Sequence, residues 1–206
     1  MSSWYWALSV SSASKNVSVR RFCLFLLCAT LCLTVVKAQE TRRSDRTDDI
    51  LRWVPLTATV GMKIAGVDSQ SSWKRITVNG LSTLALTAGV THCLKHTVHS
   101  MRPDGSDHYS FPSGHAALAF ANATILHKEY GHTSKWVSIS GYAVAAYTAY
   151  DRVRRDRHHW MDVIAGSAIG VAGGELGYWL GDKITGERKK GQMVFVPNGV
   201  YLSYTF

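Results

Sequence analysis

Apolar stretches and short polar segments follow one another along most of the chain, and this pattern predicts helices rather than strands. From Ile50 onward, long stretches rich in alanine, leucine and threonine are separated by short polar segments. Their lengths suit helices, and their small residues allow helix backbones to approach closely. The pattern therefore predicts an all-α fold, a compact bundle of five or six helices. The predicted helical segments are 50–65, which Pro55 interrupts, 72–99, 116–129, 135–150 and 161–184.

The N-terminal part follows a different pattern. Residues 22–36 form an unbroken apolar run, preceded by Arg20 and Arg21 in a leader without acidic residues. The run is short for a membrane-spanning helix, which needs about 20 apolar residues, and suits the core of a signal peptide. We therefore predict a secretory signal that is removed after Ala38, with an uncleaved anchor as the alternative.

The last residues change pattern again. Residues 193–196 and 200–206 are β-prone and flank Asn198-Gly199, a combination that predicts a short β-hairpin. The predicted organisation is a signal peptide, a flexible lead-in, a helical-bundle domain, and a tail made of a charged linker and the hairpin. The corresponding ranges are 1–38, 39–49, 50–185 and 186–206.

Composition narrows the classes of function. The chain has 206 residues, with 23 Lys and Arg against 14 Asp and Glu, and a formal net charge of +9. A mean hydropathy of −0.03 is too low for a densely packed polytopic membrane protein. Without the predicted signal, 19 basic residues face the same 14 acidic ones, an excess that suits anionic lipid or phosphate but is too dispersed to indicate nucleic acid. Only Cys93 follows the signal, so no internal disulfide is predicted.

Two segments in the middle of the chain carry candidate anion-binding groups. Lys95 and Arg102 are two helical turns apart, which would place both cations on one helix face, and Pro103 indicates a helix end beside Arg102. Further along, Ser113 and Gly114 open an apolar helical run, and free backbone N–H groups at such a start form an anion site. His115 would be a titratable group next to that site. Taken alone, the first segment also fits a solvated surface, and the second fits an ordinary capped helix.

The third segment combines a cation with a histidine and a carboxylate. His158 and Asp162 stand at i and i+4, so the carboxylate can hydrogen-bond one ring nitrogen and leave the other free as a nucleophile. Arg152 could supply a guanidinium fork for phosphate oxygens. Read alone, the segment also fits a basic loop before a helix with a surface His–Asp pair.

Together, the spacings Lys-x6-Arg-Pro, Pro-Ser-Gly-His and Arg-x5-His-x3-Asp resemble the signature of the type 2 phosphatidic acid phosphatase superfamily. That superfamily also contains bacterial acid phosphatases and vanadium-dependent haloperoxidases. The resemblance covers about residues 95–181. Two departures are visible: Asp151 stands where the family commonly has a serine, and His159 is a second histidine beside His158. Spacing to both Arg152 and Asp162 selects His158.

The resemblance implies a bundle of about six helices with the three motifs at one end. By the same resemblance, Lys95, Arg102, Arg152, Ser113 and the Gly114 amide would bind the substrate phosphate. His158 would attack phosphorus and form a phosphohistidine, Asp162 would orient it, and His115 would protonate the leaving alkoxide. The implied chemistry needs no metal and no other cofactor.

Several functions share this chemistry. The sequence looks most similar to the bacterial lipid A phosphatases of the superfamily, with the 4′ phosphate of lipid A slightly preferred over the 1 phosphate. Undecaprenyl diphosphate or phosphatidic-acid-type lipids, and small soluble monoesters, are the alternatives, while a haloperoxidase and a non-catalytic membrane module fit less well. The expected partners are a phosphorylated membrane lipid and the membrane surface on the periplasmic side, with no nucleic acid and an open oligomeric state. We expect peripheral attachment that weakens with salt, aided by the apolar stripe Val200, Leu202, Tyr204 and Phe206.

Overall fold

The computed structural model describes residues 46–186, 192–196 and 199–203. Within these ranges the backbone forms six α-helices and two short strands, and the prediction of a mostly helical fold is confirmed. The helices are α1 (Arg46–Leu51), α2 (Val54–Ile64), α3 (Trp73–Thr97), α4 (Gly114–Tyr130), α5 (Lys135–Arg154) and α6 (Trp160–Thr185). The strands β1 (Gln192–Val196) and β2 (Gly199–Ser203) pair antiparallel.

Two predictions concern the ends of the chain. The predicted signal peptide lies outside the described residues. Pro197 and Asn198, the residues between the two strands, lie outside them as well. The predicted C-terminal hairpin and its docking therefore stay predictions.

The structure corrects the predicted lead-in at its C-terminal end. Residues 46–49 were expected to be flexible because they are polar and charged, yet they belong to α1. Asp48 is fully buried there, and its carboxylate pairs with Arg152 of α5 at 2.8 Å and with Arg155 at 3.5 Å. Ion pairs with residues a hundred positions away hold this turn in place, and they cannot be recognised from the composition of the segment itself.

Serine side chains fix where three of the helices begin. Ser72, Ser113 and Ser134 each have extended backbone, and their hydroxyls accept hydrogen bonds from amides of the first turns of α3, α4 and α5. These bonds satisfy amides that have no partner inside the helix. At the other end of α6, Gly186 adopts a left-handed conformation with φ of 67°, which favours glycine as the residue that terminates a helix.

Helix α4 lies at the centre of the bundle and contacts α2, α3, α5 and α6. Its alanines at 116, 117, 119, 121 and 123 are fully buried, because neighbouring helices approach it closely. Helix α6 approaches through glycines on two sides. Gly166 and Gly170 face the α4 backbone and the residue before it, while Gly173, Gly177 and Gly181 face Thr87, Thr83 and Asn79 of α3. A Cβ at any of these glycines would overlap its neighbour, so this packing requires glycine.

The bundle buries small and polar side chains and exposes many large apolar ones. Thr59, Thr83, Thr87, Asn122 and Thr148 are fully buried. On α6, by contrast, large apolar side chains are exposed near both ends of the helix. They are Trp160, Met161, Ile164, Leu176, Trp179 and Ile184. Among the described residues, α6 is the one helix long and apolar enough to cross a membrane.

Candidate active site

The three motifs meet at one end of the bundle, around a cavity of about 330 Å³. The C-terminal ends of α3 and α5 and the N-terminal ends of α4 and α6 converge there. Four of the lining side chains are basic, and none of the lining residues in the described part of the chain is acidic. They are Arg52, Ala88, Thr91, His92, Lys95, Arg102, Gly114, His115, Leu118, Arg152 and His158.

His158 lies in the short connection between α5 and α6 and is almost fully buried. Its Nδ1 is 3.7 Å from the Asp162 carboxylate and 3.5 Å from the hydroxyl of Ser110, which itself donates to Asp162. Ser110 therefore bridges the two groups that the sequence expected in direct contact. With Nδ1 on this side of the ring, Nε2 remains for the cavity, and a neutral ring with a free Nε2 can act as a nucleophile.

The charges around His158 keep its ring neutral. Burial, followed by the cations of Arg152, Lys95 and Arg102, lowers the pKa of His158 to about 3, against the opposing effect of Asp162. An imidazole with this pKa keeps its lone pair across the whole physiological range. The same cations that would bind phosphate thus also hold the histidine in its nucleophilic form.

Each of the three predicted phosphate-binding cations donates a hydrogen bond to another group of the protein. Lys95 Nζ donates to the carbonyl of Tyr109 at 2.6 Å, and Arg102 Nε donates to Asp107 at 2.9 Å. Arg152 donates to the buried carboxylate of Asp48 at 2.8 Å. Burial and the nearby Arg102 lower the pKa of Lys95. A bound dianion would relieve this repulsion, because it would place negative charge between the cations.

Ser113 and Gly114 divide the role that the sequence assigned to them jointly. Gly114 lines the cavity at the first residue of α4. Ser113 is fully buried behind it, its hydroxyl caps α4, and its amide donates to the carbonyl of Asp162 at 2.9 Å. Ser113 therefore ties the start of α4 to the start of α6, and Gly114 is the member of the pair that faces the cavity.

His115 lines the cavity beside Gly114 and contacts residues that precede the bundle motifs. Its Nε2 is 3.1 Å from the Asp49 carboxylate and 3.3 Å from Arg52 Nη1. Burial and the positive charge of Arg152 lower the pKa of His115 to about 4, and Asp49 opposes the shift.

Six of the eight residues singled out by sequence line the cavity, and Asp162 and Ser113 lie directly behind it. The second histidine, His159, lies outside the lining. Its amide donates to Asp162 at 2.8 Å and its Nε2 contacts the carbonyl of Met101 at 3.3 Å. His159 thus lies immediately before α6 and outside the cavity lining.

Sequence reasoning missed Arg52, Asp48, Asp49 and Ser110. Asp48 and Asp49 belong to the charged segment 39–49, which was expected to be a flexible lead-in, and Arg52 lies in the predicted helical segment 50–65. Ser110 lies two residues before the Pro-Ser-Gly-His motif and had no assigned role. No group of three or more metal-ligating side chains occurs among the described residues.

A family model described as the PAP2 superfamily matches residues 77–185 of the chain. One curated relative is the lipid A 1-phosphatase of Porphyromonas gingivalis, which is 42% identical over 138 residues. The alignment covers 66% of this chain and 31% of that protein, so the chain spans about a third of the relative's length.

Two solved structures are similar at 20% sequence identity. LpxE of Aquifex aeolicus has a TM-score of 0.49, covering 72% of this chain and 93% of that one. The first transmembrane PAP2 type phosphatidylglycerolphosphate phosphatase from Bacillus subtilis has a TM-score of 0.41, covering 81% and 96%.

Proposed function

The chain belongs to the PAP2 superfamily, and on that premise we propose that it is a phosphatase that hydrolyses a phosphate monoester on the head group of a membrane lipid, lipid A being the favoured substrate. One observation carries this proposal. One cavity gathers four cations, a helix N-terminus and two histidines among its described lining residues, with His158 kept neutral. The four cations are Arg52, Lys95, Arg102 and Arg152. Such a set binds a phosphate, supplies a nucleophile and supplies a proton donor.

In the proposed first step, His158 Nε2 attacks phosphorus in line with the leaving oxygen. Asp162 and Ser110 stabilise the positive charge that develops on the ring, through its Nδ1 side. Lys95, Arg102 and Arg152 neutralise the phosphoryl oxygens. His115 donates a proton to the departing alkoxide, so that a neutral alcohol leaves.

In the second step, water attacks the phosphohistidine and releases phosphate. His115, now neutral, accepts a proton from that water, and His158 returns to its starting form. The cations perform the charge neutralisation for which many other phosphatases use metal ions, and we expect no cofactor. Activity should therefore survive chelators, and orthovanadate should inhibit competitively as a mimic of the five-coordinate transition state.

Within lipid A, we favour the 1 phosphate over the 4′ phosphate. From the sequence alone, the 4′ phosphate was slightly preferred, although no residue indicated which of the two phosphates of lipid A is bound. The 42% identity to a protein named lipid A 1-phosphatase favours the other choice. The cavity of about 330 Å³ is large enough for the phosphate and the adjoining sugar atoms, and most of the lipid would remain outside it.

The direct test is hydrolysis of purified bis-phosphorylated lipid A, with mass spectrometry of the fragments to show which phosphate is lost. Phosphatidic acid, undecaprenyl diphosphate and p-nitrophenyl phosphate serve as competing substrates. Loss of the 1 phosphate at the highest kcat/KM supports the proposal. High activity on p-nitrophenyl phosphate without any on lipids would instead indicate a soluble acid phosphatase. Loss of the 4′ phosphate would favour the 4′ position, which the sequence analysis slightly preferred.

We further propose that the protein works on the periplasmic face of a membrane and contacts lipid through α6. The exposed side chains of Ile164, Leu176 and Trp179 support apolar contact with acyl chains, and Trp179 suits an interface between lipid and water. Apolar contact should resist salt, unlike the charge-based attachment expected from sequence. Fractionation across a salt series and in alkaline carbonate tests this, because release by salt alone would favour the charge-based attachment.

A further inference from the structure

Two adjacent aspartates of α1 lie outside the segment that the family model matches, residues 77–185, yet both contact site residues. Asp48 points inward and pairs with Arg152 at 2.8 Å. Asp49 is 56% exposed and meets His115 Nε2 at 3.1 Å. The turn that contains them is thus part of the site wall, although the site motifs begin almost fifty residues later.

We propose that Asp49 is a positioning residue that fixes the orientation and protonation of His115, an inference that rests on the phosphatase function proposed above. A carboxylate only accepts hydrogen bonds, so Nε2 of His115 must carry the proton in their contact. That leaves Nδ1 as the nitrogen that exchanges a proton with the leaving group. Asp49 therefore performs for His115 the task that Asp162 and Ser110 perform for His158.

Arg52 completes this arrangement from the residue after α1. Its Nη2 binds the same oxygen of Asp49 at 3.1 Å, and its Nη1 lies 3.3 Å from His115 Nε2. An arginine cannot donate to a nitrogen that already carries a proton, so its productive partner is the carboxylate. Arg52 thus holds Asp49 in place, and the buried pair of Asp48 with Arg152 holds α1 against the bundle.

The proton balance requires a counter-charge of this kind. When the P–O bond breaks, the proton on Nδ1 moves to the leaving oxygen and His115 becomes neutral; in the second step it takes a proton from the attacking water. His115 must therefore be protonated while substrate is bound. Arg52 and Arg152 face the ring and oppose protonation, whereas Asp49 and the incoming phosphate favour it.

The sign of the pH effect follows directly. Removing the charge of Asp49 lowers the pKa of His115 further below its ordinary value, because the remaining neighbours are positive. The protonated acid then disappears at a lower pH. In Asp49→Asn, the alkaline limb of kcat should therefore move to lower pH, with partial recovery of activity as the medium is acidified.

The experiment compares Asp49→Asn, Asp49→Glu and the control Asp68→Asn, an exposed aspartate in the connection after α2, in the full chain. Values of kcat/KM are measured for an alkyl phosphate and for p-nitrophenyl phosphate, whose leaving group needs little protonation. A general acid contributes about 10²–10⁴-fold, so losing its partner should cost the alkyl substrate about tenfold or more and the aryl substrate far less. Asp49→Glu should restore part of the loss, and Asp68→Asn should change neither.

A titration of His115 by NMR with inorganic phosphate bound gives a second reading that needs no turnover. The proposal expects a lower pKa of His115 in Asp49→Asn than in the wild type. An unchanged pKa, an equal loss on both substrates, or a gain in activity would overturn it. If the wild type binds phosphate but hydrolyses neither these monoesters nor lipid A, the phosphatase proposal fails, and the titration still decides the role of Asp49.

Discussion

The two ends of the helical bundle both bury charge, but they arrange it differently. At the end away from the cavity, Arg75 is 1% exposed and binds both oxygens of Asp182, at 2.8 and 2.9 Å, and the hydroxyl of Ser71 at 2.8 Å. The buried Glu129 accepts hydrogen bonds from Ser71 and Tyr178. At the cavity end, four basic side chains line the wall, and no lining residue among the described ones is acidic. Carboxylates outside the lining pair with three of these cations: Asp49 with Arg52, Asp107 with Arg102 and Asp48 with Arg152.

The difference separates the groups that hold the fold from those of the proposed active site. A buried ion pair is satisfied within the protein, and breaking it leaves an uncompensated charge. At the cavity end, the paired carboxylates lie outside the lining, so a bound anion would meet four cations and no acidic lining residue. We therefore expect substitutions at the far end to change stability first, and substitutions at the cavity end to change activity and anion binding first.

The largest effect on activity is expected for His158→Ala. Without the proposed nucleophile, the proposed covalent route is closed, so turnover of any monoester should fall below detection while the helical fold survives. Circular dichroism and a steady-state assay check both parts. The matched control is His159→Ala, which should retain most of the activity because His159 lies immediately before α6 and outside the cavity lining. If His159→Ala lost activity and His158→Ala kept it, His159 rather than His158 would be the nucleophile.

The largest effect on stability is expected for Arg75→Met. The free energy of unfolding should drop by about 3 kcal/mol, since Asp182 and Ser71 lose their shared partner. Activity per folded molecule should stay close to that of the wild type below the unfolding transition. Denaturant unfolding measures the first quantity and an assay at low temperature the second. Lys74→Met, at the exposed neighbouring position, is the control, and an equal loss there would exclude the ion pair as the cause.

The contrast also explains what the sequence could predict. The predicted bounds of α3 to α6 came within a few residues, because short polar segments separate the apolar stretches. The predicted segment 50–65 instead divides between α1 and α2, and Pro55 lies in the first turn of α2. The cavity residues Lys95, Arg102, Gly114 and His158 were found because the family's motifs have fixed spacings. Both kinds of feature can be recognised from neighbouring residues or from a motif, without knowledge of long-range contacts.

What escaped prediction depends on long-range contacts. The pairs of Asp48 with Arg152 and Arg75 with Asp182 join residues more than a hundred positions apart. Charged residues in such pairs look like solvated ones until the fold brings the partner near. Ser110 was missed for a related reason, since its position between His158 and Asp162 exists only after two loops have come together.

A moderate effect is expected for anion binding at the cavity end. Orthovanadate at about 100 times its Kd should add about 2.7 kcal/mol to the stability of the wild type, because it binds the folded state alone. In Lys95→Met this gain should shrink, while the vanadate-free variant stays as stable as the wild type or becomes more so, since repulsion with Arg102 is removed. Thermal unfolding with and without vanadate measures both. A full gain in Lys95→Met would show that Lys95 lies outside the anion site.

The smallest effect is expected for an ion pair at the far end that faces outward. Lys128 of α4 contacts Glu175 of α6, whose side chain is 55% exposed. Pairs in contact with water contribute about 0–1 kcal/mol and are screened by salt, so Glu175→Gln should change the free energy of unfolding by less than 1 kcal/mol in detergent-free buffer.

The same measurement in lipid vesicles sharpens the comparison of the two ends. Glu175 lies just before Leu176 and Trp179 on the exposed face of α6. If lipid rather than water covers that face, Lys128 keeps its charge in an apolar medium, and the loss on substitution should rise above that in buffer and become independent of salt. Equal, salt-sensitive losses in both media would place this face in water and remove the support for apolar attachment through α6.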